Sequence, residues 1–224
     1  MRKKLSPEEE RERVLAMYAI EHECRERGYC NIAGVDEAGR GPLAGPVYAA
    51  AVIMPDNVVI EGINDSKKLS EKRREELFDE ICEKALAYSI AYSTPEQIEQ
   101  DNILAATMDA MNRAINALPI KADYALIDGN RNKGIDCANE TVVKGDAKSI
   151  SIAAASILAK VSRDRYIIAA AKDYPEYGFE RHKGYGTAEH IAALEKYGLT
   201  PIHRKKFTDT ALATARRKRN AETE

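Results

Sequence analysis

Two adjacent carboxylates, Asp36 and Glu37, follow the apolar run Ile32-Ala33-Gly34-Val35 and lead into Ala38-Gly39-Arg40-Gly41-Pro42-Leu43-Ala44-Gly45-Pro46. The apolar run reads as a buried strand and the glycines and prolines as its abrupt end, which places the pair at a strand tip. Acidic side chains beside apolar residues are costly to bury unless something pairs with them. Neighbours in a regular strand point to opposite faces, so both reach one site only if the chain bends, and the following glycines permit a bend. Two more apolar segments end in the same way: Tyr124-Ala125-Leu126-Ile127 runs into Asp128-Gly129, and the weaker stretch 140–144 runs into Gly145-Asp146.

Carboxylates gathered at one sheet edge repel one another and raise each other's pKa unless cations hold them together. Oxygen-only donors of this kind suit Mg²⁺ or Mn²⁺ rather than zinc. Two such ions in one carboxylate site would activate a water and stabilise the leaving oxygen of a phosphodiester. Taken singly, Asp128 reads as a turn former, and Asp146 has helix capping as a serious rival. The adjacent pair is harder to explain that way. The glycine-rich turn itself matches neither a phosphate-binding G-x-x-x-x-G-K-[ST] loop nor a G-x-G-x-x-G fingerprint opening a helix. It remains a tight, exposed backbone able to approach a sugar or phosphate closely, with Arg40 beside it.

The elements that must position these residues follow from periodicity and punctuation. Ser6-Pro7-Glu8-Glu9 opens a helix with a capping box, expected to run to Gly28 as a peripheral element. A second strand at about 47–54 is the hairpin partner of the first. Ser70 caps a helix over 71–86, residues 88–93 form a third strand, and Thr94-Pro95-Glu96-Gln97 starts a short helix followed by a longer one over 103–118. The most apolar long segment, 148–172, reads as a buried helix on the sheet. A short helix over 187–197 ends at Gly198, and the segment after Pro201 is partly helical. Three strands followed by alternating helices and strands imply one α/β domain with a mixed sheet.

With 224 residues, 44% hydrophobic and 31% charged, the chain can bury a real core. No apolar run approaches the roughly 20 residues needed to cross a bilayer, and no signal peptide is visible. Cys24, Cys30, Cys82 and Cys137 form no C-x-x-C pair, which argues for a reducing cytoplasm and against a disulfide framework or zinc site. The net charge of −2 hides basic clusters at Arg2-Lys3-Lys4, Lys72-Arg73-Arg74, Arg181-His182-Lys183, His203-Arg204-Lys205-Lys206 and Arg216-Arg217-Lys218-Arg219. Each reads first as a solvated helix face, and only several beside the acidic centre would make a phosphate groove.

At this point Asp36-Glu37-Ala38-Gly39-Arg40-Gly41 and Asn64-Asp65-Ser66-Lys67-Lys68-Leu69 together resemble the bacterial ribonuclease HII family. So do Lys144-Gly145-Asp146-Ala147-Lys148-Ser149, the stretch from Ala154 to Asp164, and His182-Lys183-Gly184-Tyr185-Gly186-Thr187, in family order. The resemblance implies a ribonuclease H-like fold: a central mixed sheet of about five strands flanked by helices, with a helical C-terminal segment. Residues 1–28 would be a helical extension, 29–207 the catalytic domain and 208–224 a basic tail. It further implies an endonuclease that hydrolyses the RNA strand of RNA–DNA hybrids and nicks on the 5′ side of single ribonucleotides in duplex DNA. The ends would be 3′-hydroxyl and 5′-phosphate.

In that resemblance Asp36, Glu37, Asp128 and Asp146 form a site for two Mg²⁺ or Mn²⁺ ions. Gly39, Arg40 and Gly41 feel the ribose 2′-hydroxyl, the group that tells RNA from DNA, and Tyr185 packs on the neighbouring deoxyribose. Lys67, Lys148 and Ser149 are candidates for phosphate contacts, although Lys67 and Lys148 serve equally well to neutralise carboxylates. Asp164 reads as a helix ion-pair partner rather than a ligand, and His182 and His203 are weak candidates. Lys206 stands where the family commonly has Ser. The implied protein is a cytoplasmic monomer acting in ribonucleotide excision repair, without a membrane. Rival readings are a ribonuclease HIII-like enzyme, for which the roughly thirty residues before the strand are too few to form the extra domain, a non-catalytic hybrid-binding protein, and a phosphatase of small molecules.

Overall fold

The computed structural model describes residues 5–223; the basic cluster Arg2-Lys3-Lys4 lies outside the described residues. Strands β1 (Ile32–Ala38) and β2 (Val47–Ile53) form an antiparallel hairpin, and β3 (Ala87–Ser93) extends it antiparallel to β2. On the other side of β1, β4 (Tyr124–Asp128) and β5 (Asn139–Val142) add in parallel, giving the order β3-β2-β1-β4-β5. The five-stranded mixed sheet expected from the sequence is therefore present. Because β1 and β4 run side by side in one direction, their carboxylate-bearing ends fall on the same edge.

Each face of this sheet is covered by helices. Ala33, Val35, Ala49, Ala51 and Ile53 face α5 (Ile103–Asn116), where Met111, Ala114 and Ile115 are buried against them. Ala50 and Val52 face α6 (Ile150–Ala170), whose Ala- and Ile-rich first ten residues are all buried, while its second half carries Lys160, Arg163, Asp164 and Arg165. The residues of β1 and β2 that pack on these two helices alternate with period two, so Asp36 belongs with the α6 face. Gly34 has a packing reason to lack a side chain: a Cβ there would collide with the Ser151 backbone, so α6 lies unusually close to β1. Helix α3 (Glu71–Lys84), capped by Ser70, closes the same layer through Leu77 and Ile81.

The N-terminal segment departs from expectation. Its capping box is present, with Glu9 N–H donating to Ser6 Oγ at 3.2 Å. Instead of one peripheral helix to Gly28 there are two, α1 (Pro7–Ala16) and α2 (Ala19–Glu26), broken at Met17-Tyr18. Val14, Tyr18 and Cys24 are fully buried. The break lets the Tyr18 hydroxyl reach Pro55 O at 3.0 Å and Val58 O at 2.9 Å, partners far along the chain that periodicity cannot reveal.

Beyond β3, Thr94 caps α4 (Pro95–Asp101), with the Gln97 capping box closed. The stretch after α6 contains a short helix, α7 (Phe179–His182), which the sequence reads as irregular. It is followed by α8 (Ala188–Tyr197), capped by Thr187, and α9 (Lys205–Thr223), longer than the partial helix expected. Among the described residues no helix is long and apolar enough to cross a membrane.

Candidate active site

Asp36 is buried at the end of β1, and the Glu37 N–H donates to its Oδ1 at 2.7 Å. Strand β1 stays regular through Ala38, so no bend turns the two carboxylates to one face. Glu37 instead leans along the cleft to Arg40, its Oε1 at 3.1 Å from the guanidinium. Asp128 ends β4 and accepts the Gly145 N–H at 2.7 Å, which ties it to the one-turn 3₁₀ segment Gly145–Ala147 that carries Asp146. Lys144, at φ +58°, makes the left-handed step that aims this turn back at the sheet.

Electrostatics show how close these groups are. Burial pushes the Asp36 carboxyl well above its ordinary range, and Glu37 and Asp128 push the same way, against a hydrogen bond from the Ser156 hydroxyl. Asp146 is raised by burial, then by Asp65 and Asp128, with Lys67 opposing. The Lys67 ammonium would be weakened by burial, but Asp36, Asp65, Asp146 and Asp128 outweigh this and hold its proton more tightly. Asp65 is likewise opposed by burial, yet the Lys67 N–H and the Lys68 ammonium hold its carboxyl below the usual value.

Lys67 thus faces four carboxylates, one of which, Asp65, is also paired with Lys68. The excess of negative oxygen donors over local positive charge fits a hard divalent cation. Among the described residues, however, no group of three or more His, Cys, Asp or Glu side chains is arranged to enclose an ion. Glu37 is engaged by Arg40 and Asp128 by the Gly145 amide.

Beside the carboxylates lies a cleft of about 610 Å³ lined by Glu37, Gly39, Arg40, Gly41, Ser66, Lys67, Ser156 and Tyr185, among others. A larger depression, about 880 Å³, sits at Asn31, Asp123 and Cys137, next to the opposite ends of β1 and β4, and shares none of this chemistry. A Cβ on Gly41 would stand 3.8 Å from the Tyr185 ring, so the tyrosine lies directly beside the turn in the cleft lining. The turn is held from behind: Leu43 N–H donates to Gly184 O and Gly45 N–H to Ile202 O, each at 2.8 Å.

Tyr185 is anchored through its backbone. Thr200 N–H donates to His203 Nδ1 at 2.9 Å, so His203 carries its proton on Nε2 and donates to His190 Nε2 at 3.0 Å. That leaves His190 Nδ1–H to donate to the Tyr185 carbonyl at 3.0 Å. Burial pulls both rings down to about 4, and each histidine is further opposed by its histidine neighbours, so the array is neutral at pH 7.

The structure thus brings Asp36, Glu37, Asp128, Asp146, Gly39, Arg40, Gly41, Lys67 and Tyr185 to one edge. Ser149 it does not. This side chain is fully buried, donates to Glu21 Oε1 at 2.6 Å and accepts the Ile152 N–H as the cap of α6. Lys148 is exposed near Asn64 and Met17, outside the cleft lining. Asp164 is ion-paired with Lys160 at 2.7 Å. Lys206 is spent on α4, its Nζ donating to Glu99 O at 2.6 Å. His182 is buried with Nε2 on Tyr177 O at 2.7 Å, and His203 belongs to the array behind Tyr185.

Several participants are not among the residues singled out from sequence. Asp65 and Ser66 stand within the Asn64–Leu69 loop, where Lys67 alone drew attention, and Ser66 Oγ lies 2.9 Å from Ser156 Oγ. Arg204, counted with a surface basic cluster, is fully buried. Its neighbours in sequence are polar, and nothing local marks it as interior.

A parallel β1–β4 core with carboxylates at the shared edge, covered by helices on both faces, is the ribonuclease H-like class of fold. The solved ribonuclease H2 of Pyrococcus horikoshii superimposes with a TM-score of 0.69 at 28% identity, over 84% of this chain and 99% of that one. The ribonuclease HII of Archaeoglobus fulgidus, solved in complex with PCNA, gives 0.66 at 27% identity over 78% and 94%. A ribonuclease HIII solved with Mn²⁺ gives 0.64 at 17% identity over 97% and 77%, a likeness of fold alone.

The ribonuclease HII family model matches residues 33–210. Ribonuclease HII of Acetivibrio thermocellus is 56% identical over 92% of this chain and 81% of its own, and that of Marinomonas sp. 60% over 79% and 89%. The chain belongs to the ribonuclease HII family, and is accordingly an endoribonuclease acting on the RNA strand of RNA–DNA hybrids.

Proposed function

We propose that the enzyme also nicks duplex DNA on the 5′ side of a single embedded ribonucleotide, leaving 3′-hydroxyl and 5′-phosphate ends. The observation that carries this is the Gly39-Arg40-Gly41 turn and the Tyr185 ring side by side in the lining of one cleft with Glu37 and Lys67. A glycine turn admits a sugar close to its backbone, and a tyrosine ring beside it is suited to pack on the next one. One ribose between deoxyriboses is enough to engage both.

Asp36, Glu37, Asp128 and Asp146 would hold divalent ions, Mg²⁺ or Mn²⁺, and two are expected with substrate bound. Such ions supply an activated water and charge stabilisation at the leaving oxygen. The chain's own residues do the rest. Ser156 and the Glu37 amide hold Asp36 in place, Lys67 offsets the carboxylate charge, and Arg40 exchanges its Glu37 pairing for a backbone phosphate. Lys148 remains a candidate for a phosphate further along the duplex. We take residues 29–207 as the catalytic unit and 208–224 as a basic tail. The enzyme is read as a cytoplasmic monomer in ribonucleotide excision repair.

The test is a DNA duplex with one ribonucleotide, incubated with Mg²⁺, with Mn²⁺ or with chelator. A single nick on the 5′ side, only with ion present, is expected. An intact duplex alongside hydrolysis of a nucleoside phosphate would overturn the reading.

A further inference from the structure

One side chain outside the cleft decides the shape of the turn inside it. Arg204 is fully buried at the start of α9, and among the described residues its guanidinium donates only to carbonyl oxygens of the segment 39–45. Nη2 donates to Gly39 O at 2.7 Å, Nη1 to Arg40 O at 3.0 Å and to Pro42 O at 3.1 Å, and Nε to Gly45 O at 2.8 Å. Its own backbone N–H donates to Leu43 O at 2.8 Å, in the middle of the same segment. A planar guanidinium with its donors in a fixed fork imposes one arrangement on the oxygens it collects, which a lysine cannot do.

The consequence for the cleft follows from peptide geometry. In a trans peptide the C=O and the following N–H point in opposite directions, and the described chain has no cis peptide. Drawing the Gly39 and Arg40 carbonyls inward onto Arg204 therefore turns the Arg40 and Gly41 N–H groups outward. Neither has an acceptor among the described residues, whereas the next amide, Leu43, is spent on Gly184 O. Two successive outward amides form a small concave donor site of the kind that binds an oxygen.

We infer that Arg204 is a positioning residue for ribose recognition: by collecting the carbonyls of Gly39, Arg40, Pro42 and Gly45 it presents the Arg40 and Gly41 amides to the 2′-hydroxyl. The inference rests on reading this turn as the ribose sensor. Arg204 touches no substrate itself. Its role separates from general stability because the turn is also tied down independently, through Leu43 N–H to Gly184 O, Gly45 N–H to Ile202 O and Arg163 to Ala44 O at 3.2 Å.

The experiment compares wild type, Arg204→Lys and Gly41→Ala on a duplex containing one ribonucleotide, with fold followed by urea unfolding. Arg204→Lys keeps a positive charge but cannot span the four carbonyls. It is expected to lower kcat about a hundredfold, the usual cost of a misplaced reacting group, while KM stays within about threefold because duplex binding rests on phosphate contacts. In ¹⁵N-labelled wild type with chelator, the Arg40 and Gly41 amide signals should shift on adding the ribonucleotide duplex and not on adding the all-DNA duplex. In folded Arg204→Lys that selective shift should vanish.

Folded Arg204→Lys with wild-type kcat and an intact selective shift would overturn the inference. If Gly41→Ala loses cleavage while Arg204→Lys keeps it, the inference alone fails. If wild type shows no selective shift, the turn is not the ribose sensor and the reading beneath it fails. Should Arg204→Lys not fold, the wild-type Arg204 Nε–H decides. Slower exchange with the ribonucleotide duplex than with all-DNA supports the role, and identical exchange overturns it.

Discussion

At the carboxylate edge, Asp36, Asp128 and Asp146 are held near one another against their mutual repulsion, with Lys67 as the cation they share. A few residues along the chain, the turn from Gly39 to Gly45 is fixed from behind by buried guanidinium groups and by amides that find carbonyls in 184–202. The first region is electrostatically incomplete: its oxygens have more negative charge than the protein offsets. The second is complete within the protein itself: Arg204 collects its carbonyls, and its Leu43 and Gly45 amides find Gly184 O and Ile202 O. On the proposed function the contrast has a purpose: a rigid template would distinguish ribose from deoxyribose, and surplus negative charge would hold an ion. The two regions differ in what holds them: the sheet tips and Ser156 of α6 carry the carboxylates, and Arg163, Arg204 and the carbonyls of Gly184 and Ile202 hold the turn.

The largest expected effect tests the first half of that contrast. Asp36→Asn should bring cleavage of the ribonucleotide duplex below detection while hybrid binding remains measurable. In metal-free protein the same change should stabilise the fold by about 0.5–2 kcal/mol, because it removes a repelled, buried carboxylate. Urea unfolding in chelator checks this, and a variant less stable than wild type would mean the carboxylates are not in conflict. The turn should respond oppositely. Gly39 sits at φ +97°, and a Cβ there would run into the Arg163 side chain, so Gly39→Ala should cost about 2–4 kcal/mol of stability. A stability loss under 1 kcal/mol would show that the template is softer than described.

Acid separates the regions as well. His190 and His203 have folded values near 4, below the ordinary 6.5, so the unfolded chain binds more protons between those values. Stability from the neutral pair is therefore full above about pH 6.5 and is lost as pH falls towards 4, by on the order of 2 kcal/mol for the first ring protonated. Asp36 has the reverse sign: its folded value is raised, so the penalty it imposes fades on acidification. Unfolding measured at pH 7.5 and pH 5 should show a net loss in wild type, a smaller loss in His203→Gln and a larger one in Asp36→Asn. A His203→Gln slope equal to wild type would remove the histidine pair from the account.

Much of this edge was legible in the sequence because strand tips announce themselves. Apolar runs ending in Asp36-Glu37, Asp128 and Gly145-Asp146 gave the site its outline, and β1, β4 and the Ala-rich α6 fell close to where periodicity put them. The scaffold behind the turn was not legible. Arg204 sits among exposed-looking basic residues, and its partners lie some hundred and sixty residues earlier. A charge buried against carbonyls has no local signature. Ser149 failed for the related reason that a serine before a buried helix serves equally as cap or as contact, and burial against Glu21 decided for the cap. Tyr18 broke the N-terminal helix for partners that only the fold supplies.

The smallest effect bears on where the two regions meet. Tyr185 is well exposed, its ring beside Gly41 and 5.6 Å from the Arg163 guanidinium, while its carbonyl is fixed by His190. Removing the ring leaves that backbone anchor in place, so Tyr185→Ala should fold with nearly unchanged stability and bind Mn²⁺ as wild type does. What it loses is packing on the sugar beside the ribose, worth about 1.4 kcal/mol if one ring face is covered, or about tenfold in kcat/KM at a single ribonucleotide. Within a long RNA–DNA hybrid the neighbouring sugar is another ribose, and the loss should be smaller. Equal losses on both substrates would mean the tyrosine supports the turn rather than reading the junction.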